Sequence, residues 1–183
     1  SVIEKTALAE AEVEYKDKTS TSIDFLFEME TSSVNEIFNT SVDEKIKTSF
    51  LSWTTTPWTI PGNVALSVNP NLDYSLLEVN KDNSKQCLII CKDLIDSVTE
   101  RCSISNFTIL STKSGSILES VEAKHPYFDR KSTVILGDHV TTEMGTGIVH
   151  TAPAHGLEDF HASNKYKLEI VNHVGSDGRF LDT

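Results

Sequence analysis

Hydrophobic and polar residues alternate most regularly in the segment Ser22–Glu30. Four apolar side chains, those of Ile23, Phe25, Phe27 and Met29, occupy every second position, and the residues between them are mostly polar. Alternation with a period of two is typical of a strand that buries one face. The segment therefore predicts a half-buried strand near the start of the chain.

Shorter apolar runs, separated by turn residues, predict further strands along the rest of the chain. These strands are expected at Ala11–Tyr15, Thr48–Thr55, Asn63–Val68, Tyr74–Val79, Cys87–Cys91, Phe107–Thr112, Thr133–Leu136, Gly147–Thr151 and Glu169–His173. Helical spacing is less common. Where it occurs, it predicts helices over Lys92–Arg101, Ser114–Val121 and Leu157–Tyr166, and the polar, weakly patterned Thr31–Lys47 is expected to be a surface loop.

Strands outnumber helices in this interpretation, and their connections vary in length. The pattern predicts a mixed α+β fold with a mixed β-sheet at its centre and helices packed outside it. Periodicity alone does not decide whether the sheet closes into a barrel. With 183 residues, 38% of them hydrophobic, the chain is expected to form a single domain over residues 1–183. No apolar run is long enough to span a bilayer, so no membrane partner is expected.

The net charge of −11 restricts the partners of the chain. A domain that grips nucleic acid along its surface is usually basic, so this chain is expected to contact RNA only over a small footprint. Three cysteines, Cys87, Cys91 and Cys102, lack the spacing of a zinc site. They fit a reducing compartment better than a disulfide framework.

A dense group of hydroxyl residues occupies the stretch Leu51–Ser67, which reads LSWTTTPWTIPGNVALS. Three consecutive threonines and the sequence Pro57-Trp58-Thr59 lie between two apolar strand ends. Such a group suits the floor of a polar pocket. A threonine-rich edge strand followed by a loop is the alternative, since threonine favours strands. Composition alone leaves both interpretations open.

A second stretch, Gly145–Phe160, reads GTGIVHTAPAHGLEDF. Its first two glycines permit a tight turn or a close approach of the backbone. Glu158 and Asp159 fall in the first turn of a predicted helix, where carboxylates interact favourably with the helix dipole. Asp159 is therefore either a first-turn carboxylate or an anion that binds an ammonium group, and His150 is either structural or functional.

A metal site is a further interpretation of the same stretch. His150, His155 and Asp159 are all residue types that bind zinc. The sequence has no HExxH pattern and no second cluster that could supply more ligands. No metal is therefore predicted.

Together these two stretches resemble the editing domain inserted into class I aminoacyl-tRNA synthetases of the isoleucine, valine and leucine group. The sequence WTTTPWT at Trp53–Thr59 and the sequence HTAP that begins at His150 both follow the form found in the isoleucine enzymes. The resemblance covers nearly the whole chain, from Thr6–Tyr15 to Val174–Phe180. It implies a barrel-like mixed fold and a domain excised from a larger synthetase.

The resemblance also implies which residues line the editing pocket. By position they are Thr54, Thr55, Thr56, Trp58, Thr59, Asn63, His150 and Asp159. The Asp159 carboxylate is expected to anchor the free amino group of the amino acid, and His150 is expected to exclude larger side chains. The threonines, Thr55 and Thr56 above all, are expected to hydrogen-bond the ester, the ribose and a water molecule. Trp58 is alternatively part of the core, and Ala154 departs from the glycine of many relatives.

The function implied is hydrolysis, by a positioned water, of valine wrongly attached to tRNA(Ile), with valyl-adenylate as a further substrate. A pocket that selects isoleucine cannot strongly reject a side chain one methylene smaller, so a second site is needed. The alternatives are a non-catalytic module that binds the tRNA acceptor end, and a structural insert that has lost editing. The expected partners are the 3′ end of the mischarged tRNA and the rest of the parent synthetase.

The resemblance implies no cofactor in this domain, because ATP and Mg²⁺ serve the parent enzyme. The form of the HTAPAHG sequence resembles bacterial and organellar relatives. The asparagine- and serine-rich loops favour the mitochondrial matrix over a bacterial-type cytoplasm.

Overall fold

The computed structural model describes residues 6, 9, 11, 13–17, 19–81 and 84–181 of the chain. Strands follow one another as β1 (Ile23–Met29), β2 (Lys47–Thr54), β3 (Ala65–Val68), β4 (Asp73–Lys81), β5 (Ser84–Cys91), β6 (Phe107–Ser114), β7 (Glu122–Lys124), β8 (Lys131–Leu136) and β9 (Ile148–Thr151). The α-helices are α1 (Thr31–Phe38), α2 (Ile95–Arg101) and α3 (Leu157–Tyr166), and short 3₁₀ segments span Pro57–Gly62, Lys92–Leu94 and Gly115–Leu118.

The strands form two mixed sheets. The first has the order β1-β2-β5-β4-β6, in which β2 and β5 are parallel and the other neighbours are antiparallel. The second has the order β7-β8-β3-β9, in which β3 and β8 are parallel. The predicted mixed α+β class is therefore confirmed. Pairing among the described strands does not close a barrel, so "barrel-like" describes the fold only loosely.

A single hydrophobic core lies between the sheets. Phe27 and Phe50 face each other across β1 and β2, and both are fully buried. Leu66 and Ile148 contribute from the second sheet to the same cluster. Burial of each such side chain stabilises the fold by roughly 1.5–3 kcal/mol. Of the inward-facing positions of β1 predicted from its alternation, Phe27 and Met29 are buried in this cluster and Phe25 packs against it.

Hydrogen bonds also join the two sheets at the start of β9. The Ser52 hydroxyl donates to the carbonyl of Ile148 at 2.8 Å, and the Tyr74 hydroxyl donates to the carbonyl of Gly147 at 2.7 Å. Burial raises the pKa of Tyr74, so its phenol stays protonated and remains a donor. The position of β9 is therefore fixed by the first sheet as well as by β3.

The predicted surface loop Thr31–Lys47 is wrong in its first half, which forms α1. Val34, Ile37 and Phe38 have helical spacing, and Val34 and Phe38 are buried. The side-chain amide of Asn35 then bonds both backbone groups of Val42, which fixes the chain after the helix. The apolar spacing was present in the sequence, but the polar residues around it masked it.

Other differences concern short elements. β7 was not predicted because only Ala123 of its three residues is buried. The predicted helix at Ser114–Val121 is a 3₁₀ segment over Gly115–Leu118, and the predicted strand Glu169–His173 is absent. The described residues of Ala11–Tyr15 are not in a strand, and residue 12 lies outside the described part of the chain. No helix in the described part combines the length and apolar composition that crossing a membrane requires.

Candidate active site

Most of the residues singled out in the sequence line one cavity of about 340 Å³. It lies where four elements meet: the end of β2, the 3₁₀ segment Pro57–Gly62, β9 and the start of α3. Its lining consists of Trp53, Thr54, Thr55, Thr56, Thr59, His139, Thr141, Glu143, Met144, Gly145, Thr146, Gly147, Ile148, Val149, His150, Ala152, His155 and Asp159. The two motifs, far apart in the sequence, therefore form a single site.

Strand β3 brings the two motifs together. It begins shortly after the 3₁₀ segment, and it pairs with β9 in antiparallel register, with Leu66 opposite His150. The backbone N–H of Val64 extends this ladder by donating to the carbonyl of Thr151 at 3.0 Å. The threonine peptide, Thr54–Thr59, therefore leads into β3, and β3 lies beside β9, the strand that carries His150.

The threonine hydroxyls form a continuous chain of hydrogen bonds. Thr54 Oγ1 lies 3.2 Å from Thr56 Oγ1 and accepts the backbone N–H of Thr56 at 3.1 Å. Thr59 Oγ1 lies 3.5 Å from Thr56 Oγ1 and 2.9 Å from Nε2 of His150. The chain of hydroxyls therefore links the end of β2 to β9.

Thr55 differs from its two neighbours. The alternation of an extended segment predicts that Thr54 and Thr56 share one side, and their hydroxyl contact confirms this. Thr55 is exposed, and its hydroxyl has no hydrogen-bond partner among the described residues, yet it lines the same cavity. Its hydroxyl is therefore available to a ligand.

His150 is buried and neutral at physiological pH. Thr59 donates its single hydroxyl hydrogen to the carbonyl of Thr56 at 2.8 Å, so it must accept the contact from His150. Nε2 of His150 therefore carries the ring proton. Burial, with smaller effects from His125 and His155, lowers the pKa of His150 to about 4. The ring packs edge-on against Phe25 at 5.8 Å between centroids, which helps to hold it in place.

The lowered pKa of His150 makes a prediction for stability. The folded chain resists protonation down to about pH 4, whereas the unfolded chain takes up the proton near pH 6.5. The neutral His150 therefore contributes about 3 kcal/mol to the free energy of unfolding. This contribution is fully present above pH 6.5 and is lost as the pH falls towards 4. Urea unfolding at a series of pH values should show it. A His150→Gln variant, which cannot titrate, should have a shallower pH slope by up to one proton, and equal slopes would contradict the assignment.

Asp159 lies in the first turn of α3 and lines the same cavity as the threonines. Its Oδ2 accepts the backbone N–H of Ala152 at 2.9 Å, which ties the helix to the end of β9. Burial raises the pKa of Asp159, while the bond from Ala152 and the nearby His139 and His155 act in the other direction. A partly buried carboxylate with remaining acceptor capacity suits a cationic ligand group. Asp159 is therefore a first-turn carboxylate that also lines the cavity, and its role as the anion that binds an ammonium group stays a prediction.

Two of the predicted pocket residues do not line the cavity. The side chain of Asn63 is fully buried and donates to the carbonyl of Ala65 at 2.8 Å, and it accepts from Ser132 at 2.6 Å. It therefore joins β3 to β8. Trp58 is 53% exposed on the 3₁₀ segment, so the core alternative for Trp58 is wrong. Their placement does not support contact of Asn63 or Trp58 with a ligand in this cavity.

Sequence reasoning missed the segment that forms the remaining wall. His139, Thr141, Glu143 and Met144 line the cavity before Gly145. These residues show no periodicity, so the sequence predicts no element there. The one available indication of a structured segment was the pair of glycines that follows, Gly145 and Gly147.

Those two glycines behave as predicted. Gly145 and Gly147 have φ of 82° and 73°, a region that favours glycine. A Cβ on Gly147 would lie 2.2 Å from Cβ of Cys91, so only glycine fits there. The turn and the close approach explain why glycine occupies both positions.

A metal site finds no geometric basis in the described residues. No group of three or more His, Cys, Asp or Glu side chains is placed there to hold a metal ion. His150 uses Nε2 for Thr59, and Asp159 uses Oδ2 for the backbone of Ala152. The cavity offers hydroxyl groups, imidazole rings, the partly buried carboxylate of Asp159 and the exposed carboxylate of Glu143 as its polar chemistry.

Comparison with known proteins identifies the class to which this fold and site belong. The family model for the editing domain of leucyl-tRNA synthetase matches residues 20–181. The chain therefore belongs to this family of synthetase editing domains, and the predicted resemblance is confirmed.

The curated relatives are isoleucine–tRNA ligases. The protein from Pseudoalteromonas atlantica is 45% identical over 97% of this chain, and that from Shewanella sp. strain W3-18-1 is 50% identical over 94%. The protein from Coxiella burnetii is 45% identical over 96% of the chain. The chain spans about a fifth of the length of these relatives, 18–19% in each case.

Solved structures support the same fold. The editing domain of the Plasmodium knowlesi cytosolic leucyl-tRNA synthetase aligns with a TM-score of 0.65 and 16% identity, covering 79% of this chain and 62% of that one. The structure titled GlLeuRS-CP1 aligns with a TM-score of 0.64 and 18% identity, covering 82% and 66%. At this identity the likeness concerns the fold alone.

Proposed function

We propose that this chain is the editing segment of an isoleucine–tRNA ligase and hydrolyses the ester that joins valine to tRNA(Ile). One observation carries the proposal: the threonine peptide, His150 and Asp159 line one cavity. The identity of the curated relatives supports isoleucine as the cognate amino acid. Valyl-adenylate, which carries the same amino group and side chain, is proposed as a second substrate.

Each group of the cavity has a role that its chemistry permits. The Asp159 carboxylate pairs with the α-ammonium group of the aminoacyl ester, because a buried cation requires an opposite charge. The hydroxyls of Thr55 and Thr56 hold the ester carbonyl and a water molecule, and neutral His150 closes the side-chain end. Positioning of water and ester, with hydrogen bonds to the developing oxyanion, lowers the barrier to hydrolysis.

Water is proposed as the nucleophile because the cysteines are poorly suited to attack. Burial raises the pKa of Cys87 to about 11 and also raises that of Cys91. A thiolate is therefore rare on either residue at neutral pH. Neither residue lines the cavity.

The charge of the site indicates how tRNA is held. Within the described part of the chain, the cavity lining contains no lysine or arginine, and the whole chain has a net charge of −11. Most of the grip on the polyanionic tRNA is therefore assigned to the rest of the synthetase. Only the 3′ end, which carries the ester, enters the cavity.

The test is deacylation by the full-length synthetase that contains this segment. We expect hydrolysis of valyl-tRNA(Ile) and sparing of isoleucyl-tRNA(Ile). A binding module without catalysis would bind both tRNAs and hydrolyse neither, and a structural insert would do neither. Asp96→Asn serves as the matched control for substitutions of Asp159, because Asp96 also lies in the first turn of a helix, α2, but outside the cavity.

Removal of the threonine hydroxyls next to the ester should slow the reaction. In a Thr55→Ala/Thr56→Ala variant we expect a fall of about 100-fold in kcat, the usual cost of losing an oxyanion donor. Stability should change little, because Thr55 is exposed and Thr56 is half-buried. Single-turnover deacylation and thermal melting distinguish the two effects. A large drop in Tm with unchanged activity per folded molecule would show that these threonines are structural.

The remaining expectations stay predictions. We propose no cofactor for the editing reaction itself, with ATP and Mg²⁺ serving the synthetic site of the parent enzyme. The mitochondrial matrix stays the predicted compartment, with a bacterial-type cytoplasm as the alternative.

A further inference from the structure

The turn before β9 forms one wall of the cavity and packs directly on Trp53. Gly145 has a φ of 82°, and a Cβ built on it would lie 3.3 Å from Cε3 of Trp53. Trp53 and Gly145 both line the cavity, and Trp53 immediately precedes the threonine peptide. The distance between this turn and the threonines therefore affects the width of the cavity.

Arg101 connects this turn to two other elements. It ends α2, and its guanidinium donates to both carboxylate oxygens of Asp24, from Nε at 2.9 Å and from Nη2 at 2.7 Å. The same Nη2 donates to the carbonyl of Gly145 at 3.3 Å. Asp24 stands directly opposite Trp53 in the ladder of β1 and β2. The guanidinium therefore fixes the turn relative to the strand on which it packs.

The two residues after Gly145 have other anchors. The backbone N–H of Cys91 donates to the carbonyl of Thr146 at 3.0 Å, and the Tyr74 hydroxyl donates to that of Gly147 at 2.7 Å. These bonds hold the β9 side of the turn. Arg101 acts on the other side, next to Met144 and Glu143, where the cavity wall is exposed.

We propose that Arg101, oriented by Asp24, is a positioning residue that sets the width of the cavity and so its preference for the smaller aminoacyl ester. The proposal rests on the proposed hydrolysis of valyl-tRNA(Ile). A site can reject one extra methylene only through a rigid wall, since the larger side chain would otherwise gain contacts. A bidentate arginine–carboxylate pair supplies that rigidity because it fixes the guanidinium plane.

The first test measures discrimination in the full-length synthetase. In Arg101→Ala we expect kcat/KM for valyl-tRNA(Ile) to fall about tenfold, mainly through KM, because the wall is misplaced while the reacting groups remain. Hydrolysis of isoleucyl-tRNA(Ile) should rise, so that the ratio of the two rates falls. Asp24→Asn should act in the same direction. The ratio of the two rates in the Asp24→Asn/Arg101→Ala double variant should be no lower than in Arg101→Ala alone, because both residues act as one unit.

A conservative variant and a matched control separate positioning from general destabilisation. Arg101→Lys keeps the charge but lacks the planar fork that bonds both oxygens of Asp24, so its discrimination should be intermediate. Lys47 and Glu28 form an ion pair at 3.1 Å between the same two strands, outside this cavity. Lys47→Ala should leave discrimination unchanged. Equal effects of Lys47→Ala and Arg101→Ala would overturn the proposal.

A second test does not depend on activity. The 183-residue chain has two tryptophans, so a Trp58→Phe variant of this chain by itself has Trp53 as its single indole fluorophore. In this background Arg101→Ala should increase quenching of Trp53 by acrylamide, because the turn no longer covers the ring, and Lys47→Ala should not. Unchanged quenching would overturn the positioning role. If the wild-type synthetase hydrolyses neither ester, the proposed function fails, while the quenching result still decides the role of Arg101.

Discussion

Replacement of Asp159 by alanine should abolish editing of valyl-tRNA(Ile). The ammonium group of the ester would then enter a partly buried site in which the exposed Glu143 is the one acidic residue left in the described lining. Breaking a buried charge pair costs about 3–5 kcal/mol, which corresponds to a fall of roughly 10²- to 10⁴-fold in kcat/KM. Steady-state deacylation by the full-length synthetase, with aminoacylation of isoleucine as the internal standard, measures the effect.

The Asp159→Ala variant also loses the hydrogen bond to the backbone of Ala152, so a second variant isolates the charge. Asp159→Asn retains an oxygen for the N–H of Ala152 but carries no charge. We expect it to lose nearly as much activity as Asp159→Ala while melting close to the wild type. Glu158→Gln changes the adjacent acid, which does not line the cavity, and should remain active. Normal deacylation by Asp159→Asn would exclude Asp159 as the amine anchor.

Replacement of His150 by alanine should make the site hydrolyse correctly charged isoleucyl-tRNA(Ile). Apolar attraction cannot favour valine over isoleucine, because the larger side chain buries more surface. Rejection therefore requires a steric wall, and His150 has a ring fixed by Thr59 and Phe25. We expect a rise of at least about tenfold in the rate on isoleucyl-tRNA(Ile), the scale of one methylene of selectivity, with part of the action on valyl-tRNA(Ile) retained.

Deacylation of both tRNAs side by side provides the measurement for His150→Ala. His161→Ala, an exposed histidine of α3 outside the cavity, is the matched control. Complete sparing of isoleucyl-tRNA(Ile) by His150→Ala would show that His150 is not the wall. Thr59, which bonds His150 and lines the same cavity, would then be the next residue to replace.

The sequence was sufficient for the elements with strong periodicity. β1 was predicted almost to the residue because its alternation dominates its neighbours, and the bounds of α3 match those of the predicted helix. α1 was missed because serine and asparagine surround its apolar residues. β7 was missed because three residues contain too little pattern.

The residues of the cavity also divide into those that were predicted from the sequence and those that were missed. The hydroxyl-rich peptide, His150 and Asp159 were assigned to the pocket through the family resemblance, because residue type and position alone left a structural role open for each of them. Asn63 was placed in the pocket through the family resemblance, whereas the structure gives its amide to β3 and β8. The segment from His139 to Met144 escaped notice because its place in the cavity wall depends on tertiary structure, which no local pattern records.

The central place of β3 in the second sheet also governs when the site can exist. β3 lies between β8 and β9, both of which follow it by more than sixty residues. Such distant pairing must overcome a large loop-closure entropy, and it forms late compared with local hairpins such as β4–β5. A nascent chain that has emerged as far as β6 already contains the threonine peptide, but it lacks the strand that carries His150 and the helix that carries Asp159. The candidate site is therefore complete only after α3 has left the ribosome and docked.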